Sequence, residues 1–170
     1  MFGWLKNLFK KEKTTTKKIK IISGIVSFGY IFGLGYLGSS DPGEWYRALI
    51  KPELTPPSYV FPIVWAILFF LIGLAGYYVW NFYESDFKRK LFGTLYLVNG
   101  IFVYLWSYFF FGIHDMNSAL YTIIGIIIVA ELMILSAFGT NKKSAYMLIP
   151  YLLWVLFATY LNVAIIALNS

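Results

Sequence analysis

The stretch from Trp45 to Trp80, WYRALIKPELTPPSYVFPIVWAILFFLIGLAGYYVW, joins an aromatic loop to an apolar run, and the rest of the chain is organised around that junction. Asp41-Pro42-Gly43-Glu44 supplies an N-cap, a first-turn proline and an acid three residues after the cap, so a short helix is predicted to start at Pro42. Lys51 precedes Pro52 and should end it, because a residue before proline is pushed out of the helical region. Trp45/Leu49 and Tyr46/Ile50 are each four apart and make one apolar face, while Arg47 and Lys51 point toward water or lipid headgroups. Such a helix lies on a surface or lids a cavity. After Pro56-Pro57, Tyr59 to Tyr83 gives 25 residues without a formal charge, enough to cross a hydrocarbon layer of roughly 30 Å.

Composition agrees with that reading. The 170 residues are 59% hydrophobic and only 13% charged, where a soluble domain carries about 25%. Charge-free runs at 21–37, 59–83, 91–113, 116–139 and 145–168 predict five spans. The expected fold is therefore an all-α membrane protein, a five-transmembrane-helix bundle with a short helix in the long first loop. Connections are short except for 38–58, and a loop of that length in a small bundle is usually functional. Gly29 and Gly33 form a small-xxx-small pair that predicts close helix packing in the first span.

The net charge of +6 does not point to nucleic acid, because the charges flank the spans. Residues 1–18 read as a basic arm whose first ten residues are a candidate in-plane amphipathic helix; residues 19–170 are the membrane domain. With the N-terminus cytoplasmic, 12 of the 14 basic residues fall inside, and only Arg47 and Lys51 fall outside. That places the first loop, the turn at His114-Asp115 and the C-terminus on the external face.

Candidate chemistry is sparse. No cysteine is present and no metal-ligand spacing appears; His114 reads as a solvated turn residue. Neither a metal nor a cofactor is expected. Glu131 is the one carboxylate deep in a span and is expected to meet Asn99 or Tyr104 on a helix face, or else to be functional. Asn99 and Asn162 are either polar glue between helices or donors into a cavity. Aromatics make up 21% of the chain, more than membrane-interface belts need, so many rings must face other helices or a cavity.

Three blocks then carry a resemblance: Trp45-Tyr46 through Lys51-Pro52, Pro56-Pro57, Val64-Trp65 and Val79-Trp80; Trp106-Ser107 with Phe109-Phe110-Phe111-Gly112; and Pro150-Tyr151-Leu152-Leu153-Trp154 with Phe157 to Asn162. They occur in order on the right spans and resemble the tryptophan-rich sensory protein/translocator protein (TspO/MBR) family, once called peripheral-type benzodiazepine receptors. The resemblance implies a five-helix bundle, commonly a homodimer, whose pocket under the first loop binds porphyrin- or haem-like tetrapyrroles and, in animal relatives, cholesterol and isoquinoline- or benzodiazepine-type ligands. Carried over by position, the implied ligand-binding residues are Trp45, Tyr46, Pro56, Phe61, Trp65, Phe69, Val103, Phe109, Trp154 and Ala158. Trp65 and Trp154 match tryptophans that porphyrin-degrading members need and would be catalytic only if such breakdown occurs. The chain departs from the pattern at Val103, where relatives usually carry an asparagine, and at Glu53-Leu54, where they have Ser-Trp. Its end, Leu161 to Ser170, lacks the tyrosine and basic residue of the proposed cholesterol motif, which argues against sterol binding. Three functions follow: a receptor or sensor for tetrapyrroles, a light- and oxygen-dependent porphyrin-degrading activity, and a small-molecule transporter or structural bundle subunit.

Overall fold

The computed structural model describes residues 17–37, 43–82, 86–139 and 141–170. Asp41, the expected cap of the short loop helix, and most of the basic arm lie outside them. The helices are α1 Lys17–Leu37, α2 Gly43–Ala48, α3 Val60–Phe82, α4 Asp86–Ser107, α5 Met116–Phe138 and α6 Lys142–Asn169, and no strand occurs among the described residues. All but α2 belong to helical spans long and apolar enough to cross a membrane, the third of them running from Phe87 to Gly112 through a continuation of α4. The protein is thus an integral, multi-pass membrane protein built as a five-helix bundle with a short helix in its first loop.

Helix ends differ from the charge-free runs for a physical reason. Charge interrupts an apolar run without interrupting backbone hydrogen bonding, so α4 begins at Asp86 and takes Lys88, Arg89 and Lys90 into its first turns, and α6 begins at Lys142. Arg89 lies over the Trp80 ring at 5.3 Å, and the Lys88 ammonium reaches the Gly139 carbonyl at 3.4 Å. The true ends are set by caps. Asp115 accepts from the Ser118 N–H at 3.0 Å and its hydroxyl at 2.6 Å, and these two bonds hold its carboxyl below the usual carboxylate range. Asn141 accepts from the Lys143 N–H at 3.0 Å. The loop helix is shorter than expected and ends at Ala48 rather than Lys51, while backbone turns Thr55 N–H to Pro52 and Val60 N–H to Pro57 lead into α3.

The bundle closes in the order α1, α3, α6, α5, α4, and α1 is its most exposed member. Its seat is cut by glycines, but not by the expected pair. A Cβ added at Gly29 or Gly33 would meet nothing within 4 Å, so that pair faces outward. The close approaches are instead at Gly35 of α1, Gly73 and Gly76 of α3 and Gly100 of α4, where an added Cβ would come within 2.3 Å of Phe69, 2.6 Å of Phe28, 2.5 Å of Ser27 and 2.6 Å of Tyr30 respectively. Hydrogen bonds fix the same seam. The Ser27 hydroxyl donates to the Gly73 carbonyl at 2.9 Å, the Tyr96 hydroxyl donates to the Ser27 carbonyl at 2.8 Å, and the Asn81 amide donates to the Ser23 hydroxyl at 2.6 Å. Deeper in the bundle the Tyr151 hydroxyl donates to Asn99 Oδ1 at 3.1 Å, so Asn99 serves as polar glue. Asn99 is fully buried while Glu131 is exposed on α5, so the two do not meet, and Tyr104 stacks on Tyr108 instead.

Candidate functional site: an aromatic cavity under the first loop

The span that begins with α4 does not end as a regular α-helix. Tyr108–Gly112 forms a π-turn, in which the Ile113 N–H bonds the Tyr108 carbonyl at 3.0 Å. One extra residue per turn changes which side chains face inward. Here it brings both Phe110 and Phe111 against Trp106, with ring centroids at 5.6 and 5.8 Å, and both against Tyr46 of α2, at 6.1 and 5.6 Å. Phe109, the residue carried over by position, is not on the resulting wall.

Beneath α2 lies a cavity of about 610 Å³. Its walls are Phe32, Leu34, Gly35 and Tyr36 of α1; Ser58, Phe61, Pro62, Trp65, Ala66 and Phe69 in and just before α3; Val103, Trp106 and Ser107 of α4; Phe110 and Phe111 of the π-turn; and Trp154, Ala158, Leu161, Asn162 and Ile165 of α6. Tyr46 closes it from the loop. Of the ten residues singled out in the sequence, seven line this cavity: Tyr46, Phe61, Trp65, Phe69, Val103, Trp154 and Ala158. Trp45, Pro56 and Phe109 do not line it. Trp45 is turned instead onto the turn before α5, where its ring stacks on His114 at 4.1 Å and meets the edge of Phe110 at 5.7 Å. His114 is exposed as expected, yet it is held by this stack in a left-handed conformation, φ 59°.

The rings pack in two groups along the wall. Trp65 lies 5.3 Å from Phe69, 6.5 Å from Trp106 and 6.4 Å from the buried Tyr151, and Trp154 meets Phe61 at 5.9 Å. The polar groups are few and mostly engaged: Asn162 accepts from the Trp106 indole at 3.3 Å and donates to the Met116 carbonyl at 3.2 Å. Asn162 is therefore both glue and wall. The Trp154 indole N–H is buried and has no hydrogen-bond partner among the described residues. No wall residue carries a formal charge. Just outside, Lys51 folds back rather than reaching for water, donating to the Arg47 and Leu49 carbonyls at 3.3 and 3.0 Å and lying 4.7 Å over the Tyr46 ring. Burial pushes the Tyr46 hydroxyl pKa up, so this phenol stays neutral at physiological pH.

Sequence reasoning missed the α1 wall and the Trp106–Phe110–Phe111 wall. A signal for each was present, since Phe32/Tyr36 and Trp106/Phe110 are aromatic pairs four apart, the spacing that puts two rings on one helix face. What spacing could not give was which face points inward.

Comparison with known proteins agrees with this architecture. The profile of the TspO/MBR family matches residues 22–168. The chain is 39% identical over 150 residues to the tryptophan-rich protein TspO of Bacillus cereus, covering 86% of this chain and 97% of that one. It is 33% identical over 128 residues to the tryptophan-rich sensory protein of Cereibacter sphaeroides, covering 75% and 78% of the two chains. With the human translocator protein it shares 31% identity over 121 residues, 70% of this chain and 71% of the other.

Proposed function

The chain belongs to the TspO/MBR family, and from that premise we propose that it is a membrane receptor or sensor that binds porphyrin-type tetrapyrroles in the cavity beneath its first loop. The observation that carries this reading is the cavity itself: about 610 Å³, walled by tryptophan, tyrosine and phenylalanine rings and free of charged wall residues. Pockets of roughly 300–1,000 Å³ suit small molecules and cofactors, and a flat apolar macrocycle gains most from aromatic faces. Haem-like molecules and isoquinoline- or benzodiazepine-type compounds share those requirements, so they belong to the same proposed ligand class. The reading is tested by quenching of tryptophan fluorescence in detergent with a panel of such ligands. Saturable quenching by a porphyrin is expected, and none at micromolar ligand would refute it.

A second reading, light- and oxygen-dependent porphyrin breakdown, is favoured by one observation: Trp65 and Trp154 both line the cavity. Loss of porphyrin absorbance under illumination but not in the dark, abolished by Trp65→Phe with Trp154→Phe, would separate it from binding alone.

Val103 gives a selectivity prediction. It is a buried wall residue where relatives usually place an amide. Val103→Asn is expected to strengthen binding of an amide-bearing isoquinoline ligand by about 0.5–1.5 kcal/mol, one net hydrogen bond. A porphyrin held by ring area should change less. Equal shifts for both ligands in a fluorescence titration would remove position 103 from the binding site.

The proposed orientation, N-terminus cytoplasmic with the first loop and C-terminus outside, follows from the basic residues at one end of the spans. A reporter after Ser170 should be externally accessible and one inserted within 84–90 should not. A cytoplasmic reporter after Ser170 would defeat the assignment. Assembly as a homodimer is part of the same proposal.

A further inference from the structure

The two ends of the covering helix are held by different forces. At its start, Trp45 is packed by rings, stacked on His114 at 4.1 Å and set edge-on to Phe110 at 5.7 Å. Just past its end, the chain is held by one side chain from the last turn of α6. Asn169 Oδ1 accepts from the Ile50 N–H at 3.0 Å, and Asn169 Nδ2 donates to the Ile50 carbonyl at 2.9 Å. The amide thus reads the Ile50 backbone as a neighbouring strand would. A third bond, from Nδ2 to the Ile165 carbonyl at 2.8 Å, fixes the amide in that pose. Between the two anchors sit Tyr46, which closes the cavity, and Leu49, which packs with Phe110, Ala119 and the cavity residue Ile165.

From this geometry we infer that Asn169 is the latch of the cavity: the Ile50 end releases first, the Trp45–His114 stack stays as the pivot, and the rate of release sets how fast a ligand enters and leaves. The asymmetry follows from what each anchor exchanges with water. Ile50 is exposed, 61%, and both bonds to it lie at the surface, so water can replace them with little net loss. Separating Trp45 from His114 and Phe110 instead uncovers ring surface, for which water offers no substitute. Asn169 does not itself line the cavity and reaches it only through the backbone of the wall residue Ile165, so it is a positioning residue that acts on rates. The inference builds on the ligand-binding reading of the cavity, but the latch can be read without any ligand.

The chain has no cysteine, so a single thiol introduced under the helix reports opening on a silent background. Ile165→Cys places it there, at a wall position only 3% exposed. In detergent, its alkylation by a water-soluble maleimide should be slow, and adding Asn169→Ala should accelerate it about tenfold, the scale of two modest hydrogen bonds. Asn169→Leu keeps side-chain bulk at the end of α6 but makes neither bond, and should match the alanine variant. With Asn169→Ala alone, porphyrin association and dissociation followed by stopped-flow quenching should both quicken while Kd changes less than twofold. A thiol that reacts rapidly with Asn169 intact, or one whose rate neither substitution changes in a protein of native helicity, would overturn the latch. Faster alkylation in a protein that shows no porphyrin quenching would sink the ligand reading and leave the latch standing.

Discussion

Gly76→Leu is expected to unseat α1 and to take the cavity with it. A Cβ at position 76 would lie 2.5 Å from the Ser27 hydroxyl and 3.0 Å from the Tyr96 ring, and the leucine branch beyond it has no room. Overpacking of this kind costs about 1–3 kcal/mol, and parting the helices also breaks the bonds from Ser27 to Gly73 and from Tyr96 to Ser27, roughly 1 kcal/mol each. The sum is on the order of 3–5 kcal/mol, a large share of the stability of a domain this size. Because Phe32, Leu34, Gly35 and Tyr36 of α1 form one wall, ligand binding should fall with it. Gly29→Leu and Gly33→Leu provide the contrast, as each adds a side chain into open space and should shift the thermal midpoint in detergent by little. If the three variants melt alike, α1 is not seated through Gly76.

That contrast also shows what was legible in the sequence. Five spans, the short helix in the long loop and seven of the cavity residues could be read from apolar length, proline placement and the three aromatic blocks. The outer limits of α4 and α6 could not, because lysine and arginine are good helix formers and a charge count mistakes the membrane boundary for a helix boundary. The glycines were misread for a related reason. Gly29 and Gly33 have motif spacing within one helix, whereas Gly73, Gly76 and Gly100 act across two helices, opposite Phe28, Ser27 and Tyr30, and no spacing rule within one segment records a partner in another. The π-turn at Tyr108–Gly112 was likewise hidden: a register shift of one residue leaves composition untouched, yet it exchanges Phe109 for Phe110 and Phe111 on the wall.

Tryptophans pose the same problem in its sharpest form, since a ring near a span end can anchor to the membrane interface or face a ligand. Position decides between these. Trp65 is partly buried, lines the cavity and touches Phe69, Trp106 and Tyr151, whereas Trp80 is 44% exposed near the opposite end of α3, with Arg89 over its ring. Trp65→Ala should therefore remove one face of the site and weaken porphyrin binding by about 2–3 kcal/mol, roughly 30- to 150-fold in Kd. Its neighbours do not close the gap, because Trp106 and Tyr151 are themselves tied by hydrogen bonds to Asn162 and Asn99. Trp80→Ala should leave binding within a factor of two and act, if at all, on insertion or stability. Isothermal titration or absorbance titration with the same porphyrin, which does not depend on tryptophan emission, makes the comparison fair. Were Trp80→Ala to weaken binding as much as Trp65→Ala, the ligand would not be held by the aromatic wall under α2, and the binding site would have to be sought elsewhere on the bundle.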